Sequence, residues 1–132
     1  NICDNPLFKD TRTFSNTVFS GSGGSNNYNN ARFTGSGWCS ARSGSYLLLD
    51  LQKEYHITRV VVMGNRDNTN WSESYSLKYS HDTTYKNREQ ITGNRNGYQA
   101  STTLVDIYNV RHMKIESTGN TDFCLRIELC GE

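Results

Sequence analysis

The stretch Phe123-Cys124-Leu125-Arg126-Ile127-Glu128-Leu129-Cys130 alternates strictly between apolar residues and the rest. At the two-residue period of a β-strand, Phe123, Leu125, Ile127 and Leu129 share one face while Cys124, Arg126, Glu128 and Cys130 share the other. One face is therefore core, and both cysteines point the same way. Upstream, Tyr75, Leu77 and Tyr79 alternate in the same manner with Ser76, Lys78 and Ser80. Runs of β character also cover 46–51, 57–63, 104–108 and 111–116, bounded by Gly, Asn, Asp and Thr clusters such as Gly64-Asn65-Arg66-Asp67-Asn68. No segment sustains a helical period and no internal repeat is present. Many short strands separated by turn signals predict an all-β sandwich or barrel. The polar tract 17–46, dense in Ser, Gly and Asn, predicts loops rather than strand.

The chain has 132 residues, enough for one core but not two, so 1–132 is expected to be a single domain. With 34% hydrophobic residues, 20% charged residues and one proline, it is neither fibrous nor disordered in composition. The 14 basic and 13 acidic residues leave a net charge of +1 and no basic stripe, which argues against nucleic acid as a partner. No apolar run approaches the length of a membrane span, and no charged start followed by an apolar stretch marks a signal peptide, so one is expected only if already removed. The four cysteines form no C-x-x-C pair. An even number at wide spacing predicts two disulfides and an oxidising, extracellular setting, with three connectivities open. Asn70-Trp71-Ser72 is an N-glycosylation sequon, with Asn70 the acceptor.

Four stretches, in order, resemble the discoidin family, also called the coagulation factor V/VIII C-type domain. Asn30-Ala31-Arg32-Phe33 with Gly37-Trp38-Cys39 is similar to its "ARL…GAWC" segment. Residues 46–51 and 57–64 are similar to its "WLQVDLG…VTGVVTQG" strands, 75–82 to "YKVQYSxDG", and 124–131 to "ALRLELYGC". The resemblance implies an eight-stranded antiparallel jelly-roll β-sandwich, of the galactose-binding-domain-like kind, with its termini tied together. It also implies the pairing: Cys3 with Cys130, and Cys39 with Cys124 as in the discoidin domain receptors. The chain departs from the pattern in places. The closing cysteine is shifted by two residues, Thr83 replaces a glycine, and Asn65 stands where collagen-binding members place a functional arginine.

Loops at the end of a rigid sandwich are where such an architecture carries its binding groups. The candidate ligand-binding residues are Tyr28, Arg42, Asn65, Arg66, Asp67, Asn68 and Trp71, together with 117–122. Trp71, among Asn and Thr residues, reads equally as an exposed platform for a sugar or peptide and as a ring folded over the sandwich edge. Trp38 reads as core. Arg126 and Asp50 read as structural and are expected to pair, since a charge on an inner strand needs a partner.

No catalytic constellation is present: there is no G-x-S-x-G, no Walker motif, and His56, His81 and His112 have no metal-ligand spacing. No cofactor and no metal site are expected. The Asp- and Asn-bearing loops have donor chemistry suited to calcium, but no D-x-D-x-D-G loop exists, and an unliganded loop is the stronger expectation. The reading is a non-catalytic extracellular module for a protein or glycan ligand in adhesion or matrix attachment. It would sit within a larger protein or an oligomer. Phospholipid binding is the alternative, weakened because the first two loops hold only Tyr28 and Trp71 as apolar tips.

Overall fold

The structure is a computed structural model, and it describes residues 3–23, 27–40, 44–67, 70–71, 74–80, 86–92, 99–117 and 123–132. Seven strands follow in chain order: β1 (Phe19–Ser22), β2 (Trp38–Ser40), β3 (Tyr46–Met63), β4 (Ser74–Ser80), β5 (Lys86–Thr92), β6 (Ser101–Ser117) and β7 (Phe123–Gly131). Every pairing is antiparallel. The first half of β3 pairs with β1 and with the second half of β6, which pairs in turn with β4, and β4 with β5. The second half of β3 pairs with β7 and with the first half of β6, while β7 pairs with β2. β3 and β6 thus each serve both layers of a jelly-roll sandwich, so the eight strands implied by resemblance correspond to seven continuous ones among the described residues.

The crossing points have a local cause. The ladder between β3 and β6 shifts register between Asp50 and Ile57, and at this bend Gln52 and Asn109 take left-handed backbone angles, φ 70° and 58°. Irregularities of this kind bend a strand and raise its twist, so the chain turns a corner without ending. The gaps at 52–56 and 109–110 between the sequence's apolar runs are these corners.

Both layers feed one core. Leu47, Leu49, Tyr75, Leu77, Met113 and Ile115 come from the first, and Trp38, Ile57, Val62, Leu125, Ile127 and Leu129 from the second, all fully buried. The expected core face of β7 is confirmed, yet its opposite face is buried too. The chain preceding β2 lies over it. Pro6 bridges to Cys130, Phe8 donates its N–H to Glu128, and Phe33 accepts from Arg126. The disulfide from Cys3 to Cys130 fastens this cover and that from Cys39 to Cys124 joins β2 to β7, as the resemblance implied.

Three expectations need correction. The tract 17–46 is not all loop, because β1 and β2 lie in it. β1 was hidden by Gly21, whose missing side chain lets the backbone pass close to the Tyr46 carbonyl: a Cβ there would sit 2.2 Å from that oxygen. β5 was also missed, since an edge strand hydrogen-bonded, among the described residues, to β4 alone needs no apolar alternation to form. Finally, Arg126 and Asp50 do not pair. Asp50 bonds Arg111 at 3.1 Å and the Gln52 N–H at 2.9 Å on the outer face, whereas Arg126 lies beneath the N-terminal cover.

The bridge from Cys3 to Cys130 spans a sequence separation of 127 residues. Replacing both cysteines by serine is expected to lower the unfolding free energy, measured by urea titration, by about 4 to 5 kcal/mol in the chain-entropy model.

Candidate functional site

Register places most strand ends together. Ser22 faces Tyr46, Tyr46 faces Glu116, Ser40 faces Phe123, Met63 faces Arg126, and Tyr75 faces Ser117. The connections following β1, β2, β3 and β6 therefore all leave from one end of the sandwich, and the sequence candidates lie there. Arg42, Asn68 and 118–122 lie outside the described residues, as does Ser72 of the sequon. The remaining candidates divide into scaffold and surface.

Asn65 is scaffold. It is buried, its side chain accepts the Asn70 N–H at 3.0 Å, and its own N–H donates to the Asn70 carbonyl at 3.0 Å, closing the loop on itself. Gly37 lies against it with φ 116°, a left-handed angle at a point where a Cβ would come 2.9 Å from that of Asn65. Tyr28 is scaffold too. Half-buried, it packs on the core with its ring 6.1 Å from that of Trp38, and its hydroxyl donates to the Gly23 carbonyl at 3.0 Å. Trp38 is fully buried, as expected.

Two arginines bind the loops to one another. Arg66 is exposed, yet its N–H donates to Ser36 and its guanidinium to the carbonyls of Gly35 at 3.1 Å and Phe33 at 3.3 Å. Arg126 reaches from the hidden face of β7 to the Gly64 carbonyl at 2.8 Å and to the same Phe33 carbonyl at 3.2 Å. The planar fork of a guanidinium suits this linking of carbonyls from separate chain segments. Burial, with the like charge of Arg66 nearby, pulls the Arg126 guanidinium below its ordinary value. What the loop pair presents outward is the remaining edge of Arg66, the exposed Asp67 and the half-buried Trp71. These are hydrogen-bonding groups beside a partly open ring, a combination suited to holding a polar ligand without reacting with it.

Among the described residues no group of three or more His, Cys, Asp or Glu gathers as a metal site. The sequence reading missed the second buried charge cluster. Glu128 is 4% exposed and Arg32 9%, both under the N-terminal cover. Arg32 donates to Asn16 Oδ1 at 2.9 Å and to the carbonyls of Phe8 and Phe14, and its guanidinium lies 4.9 Å from the Phe19 ring centre. The available signal was Glu128 itself, a charge sharing a strand face with two cysteines.

With this geometry in place, comparison with known proteins adds the lineage. The F5/8 type C domain family matches residues 13–129. The chain belongs to this family. Among solved structures, discoidin II of Dictyostelium discoideum superposes with a TM-score of 0.70 at 22% identity, over 86% of this chain and 53% of that one. The discoidin-like chain described here thus spans about half of that protein. The family 32 CBM from C. perfringens NanJ, solved in complex with galactose, superposes at 0.71 with 11% identity, covering 88% of this chain and 96% of that one. The CBM32 of AlyQ, solved with 4,5-unsaturated mannuronic acid, gives 0.67 and 14%, covering 85% and 92%. At such identities the likeness establishes the shared fold. No curated protein matches the sequence.

Arg126→Met should cost about 2 kcal/mol, because it leaves the Gly64 carbonyl without this donor and removes one of two from Phe33. Arg66→Ala, at an exposed position, should cost about 1 kcal/mol or less. Urea unfolding of the two variants side by side measures the difference, and equal losses would contradict the division of roles.

Proposed function

We propose that this domain is a non-catalytic, extracellular recognition module that holds a glycan, or a glycan-bearing protein, at the loop end of the sandwich. The observation that carries the reading is the linked loop pair. Arg66 and Arg126 fasten 33–37 to 64–66, so that Trp71, Asp67 and Arg66 stand on a scaffold set before any ligand arrives. Preorganisation of this kind spares the ordering cost that weakens binding by loose loops. The galactose held by the NanJ domain and the mannuronate held by the AlyQ domain support a sugar as the ligand. Arg42 and Asn68 belong to the same proposal through their positions in the loops.

The phospholipid alternative receives less support. Among the described residues, the large exposed apolar side chains are Leu104 and Tyr108, both on β6 and not on a loop tip. Affinity of a single module for a sugar is expected to be weak, so adhesion would require neighbouring domains or an oligomer to multiply the contacts. No metal is proposed to take part. The two disulfides support an oxidising, extracellular setting.

A glycan array, with collagen and phosphatidylserine vesicles alongside, tests the proposal. Galactose-type or uronate glycans should be retained, and Trp71→Ala and Arg66→Ala should each weaken retention at least tenfold, on the order of 1.4 kcal/mol. EDTA should leave retention unchanged. Binding to vesicles alone, lost with Trp71→Ala, would replace this reading with the lipid one. A host-attached glycan at Asn70, detected by mass spectrometry, should reduce retention by crowding Trp71.

A further inference from the structure

On the outer face of β7 a cavity of about 410 Å³ opens between Pro6, Phe8, Phe33, Arg32 and Glu128, with Lys9 also lining it. It is distinct from the surface of Trp71 and Asp67. Two features of its wall are unusual together. Glu128 is 96% buried by its 4% exposure, and only its Oε1 is committed, accepting the N–H groups of Phe8 at 2.8 Å and Leu129 at 2.9 Å. Oε2 accepts no hydrogen bond among the described residues. Opposite in charge and also buried, Arg32 uses three N–H groups, on Asn16, Phe8 and Phe14, of the five a guanidinium carries. The two side chains feel each other's charge, yet they form no ion pair.

A carboxylate oxygen that is not itself sealed from solvent and spare guanidinium N–H groups line one cavity without touching, so their hydrogen-bonding capacity is open to a molecule that enters it. A bridging group that donates to one and accepts from the other would use both. Because the charges of Glu128 and Arg32 offset each other, the bridging group should itself be neutral. The walls contributed by Phe8, Phe33 and Pro6 call for an apolar, flat body. We propose that this cavity is a second binding site, for a small uncharged molecule bearing a carboxamide or equivalent donor–acceptor group on an aromatic body. Its N–H would donate to Glu128 Oε2 and its carbonyl would accept from Arg32.

Benzamide is a suitable probe, titrated into the intact disulfide-bonded chain and followed by amide chemical shifts. The expected result is saturable shifts at Phe8, Lys9, Phe33 and Thr34, with Trp71 unmoved and with benzoate and benzylammonium weaker. Glu128→Gln can keep both backbone N–H bonds through its carbonyl but turns the free acceptor into a donor, and it should weaken benzamide at least tenfold. Thr34→Trp, placed at the exposed rim, should block the cavity while thermal unfolding confirms the fold. Absence of saturable shifts up to the solubility limit would overturn the proposal. So would shifts that survive Glu128→Gln, or tighter binding of either charged analogue. Because the readout is local to this cavity, failure here leaves the loop-end reading to be judged by its own array.

Discussion

The structure depends on a central strand whose two faces are both hidden. β7 gives Leu125, Ile127 and Leu129 to the core between the layers, and on its reverse it carries Cys124, Arg126, Glu128 and Cys130, none more than 7% exposed. A strand with one polar face ordinarily leaves that face in water. Here water is largely displaced by the chain preceding β2, and each side chain beneath it finds at least one partner within the protein. The cysteines do so covalently, Arg126 through the Gly64 and Phe33 carbonyls, and Glu128 through the Phe8 and Leu129 amides. The N-terminal segment has little regular structure of its own, and these bonds hold it in place.

The same arrangement prepares the loop end. Arg126 belongs to the buried strand by its backbone and to the loops by its guanidinium, so the position of 33–37 and 64–66 is tied to the core and not to solvent. Arg66 repeats the connection from the outside and shares the Phe33 carbonyl with Arg126. Two like charges converge on one acceptor, which is tolerated because carbonyl oxygens satisfy both guanidinium groups. The outward-facing groups of these loops are few, and they can vary without unsettling what lies beneath them.

Glu128 shows the cost of enclosing a charge. Burial raises its carboxyl above the ordinary value, against the opposing pull of the Phe8 and Leu129 amides and the charge of Arg32. A carboxyl raised on folding holds its proton more tightly in the native state, so its contribution to stability is greatest in acid and fades as pH rises through the folded value. Asp50 runs the other way. Burial would raise it, but Arg111, the Gln52 amide and His112 outweigh that and hold it below the usual range, so its contribution is lost as pH falls.

The alternation at 123–130 and 75–79 determined the sheet faces, and the four spaced motifs determined the family, because both are local patterns carried by neighbouring residues. The disulfide pairing was legible through the family's pattern; spacing alone left three possibilities open. Other features required the tertiary structure. β1 and β5 form because a partner strand offers hydrogen bonds, a property of the neighbour and not of their own residues. Tyr28 and Asn65 looked like loop-tip ligand groups, yet the fold turns them inward against Trp38 and Asn70. Arg126 was correctly read as a structural charge but assigned to Asp50, since no local pattern tells that a segment some 90 residues earlier supplies a carbonyl to it. Long-range placement decides which side chains are turned into the protein and which, like Asp67, stand exposed at its surface.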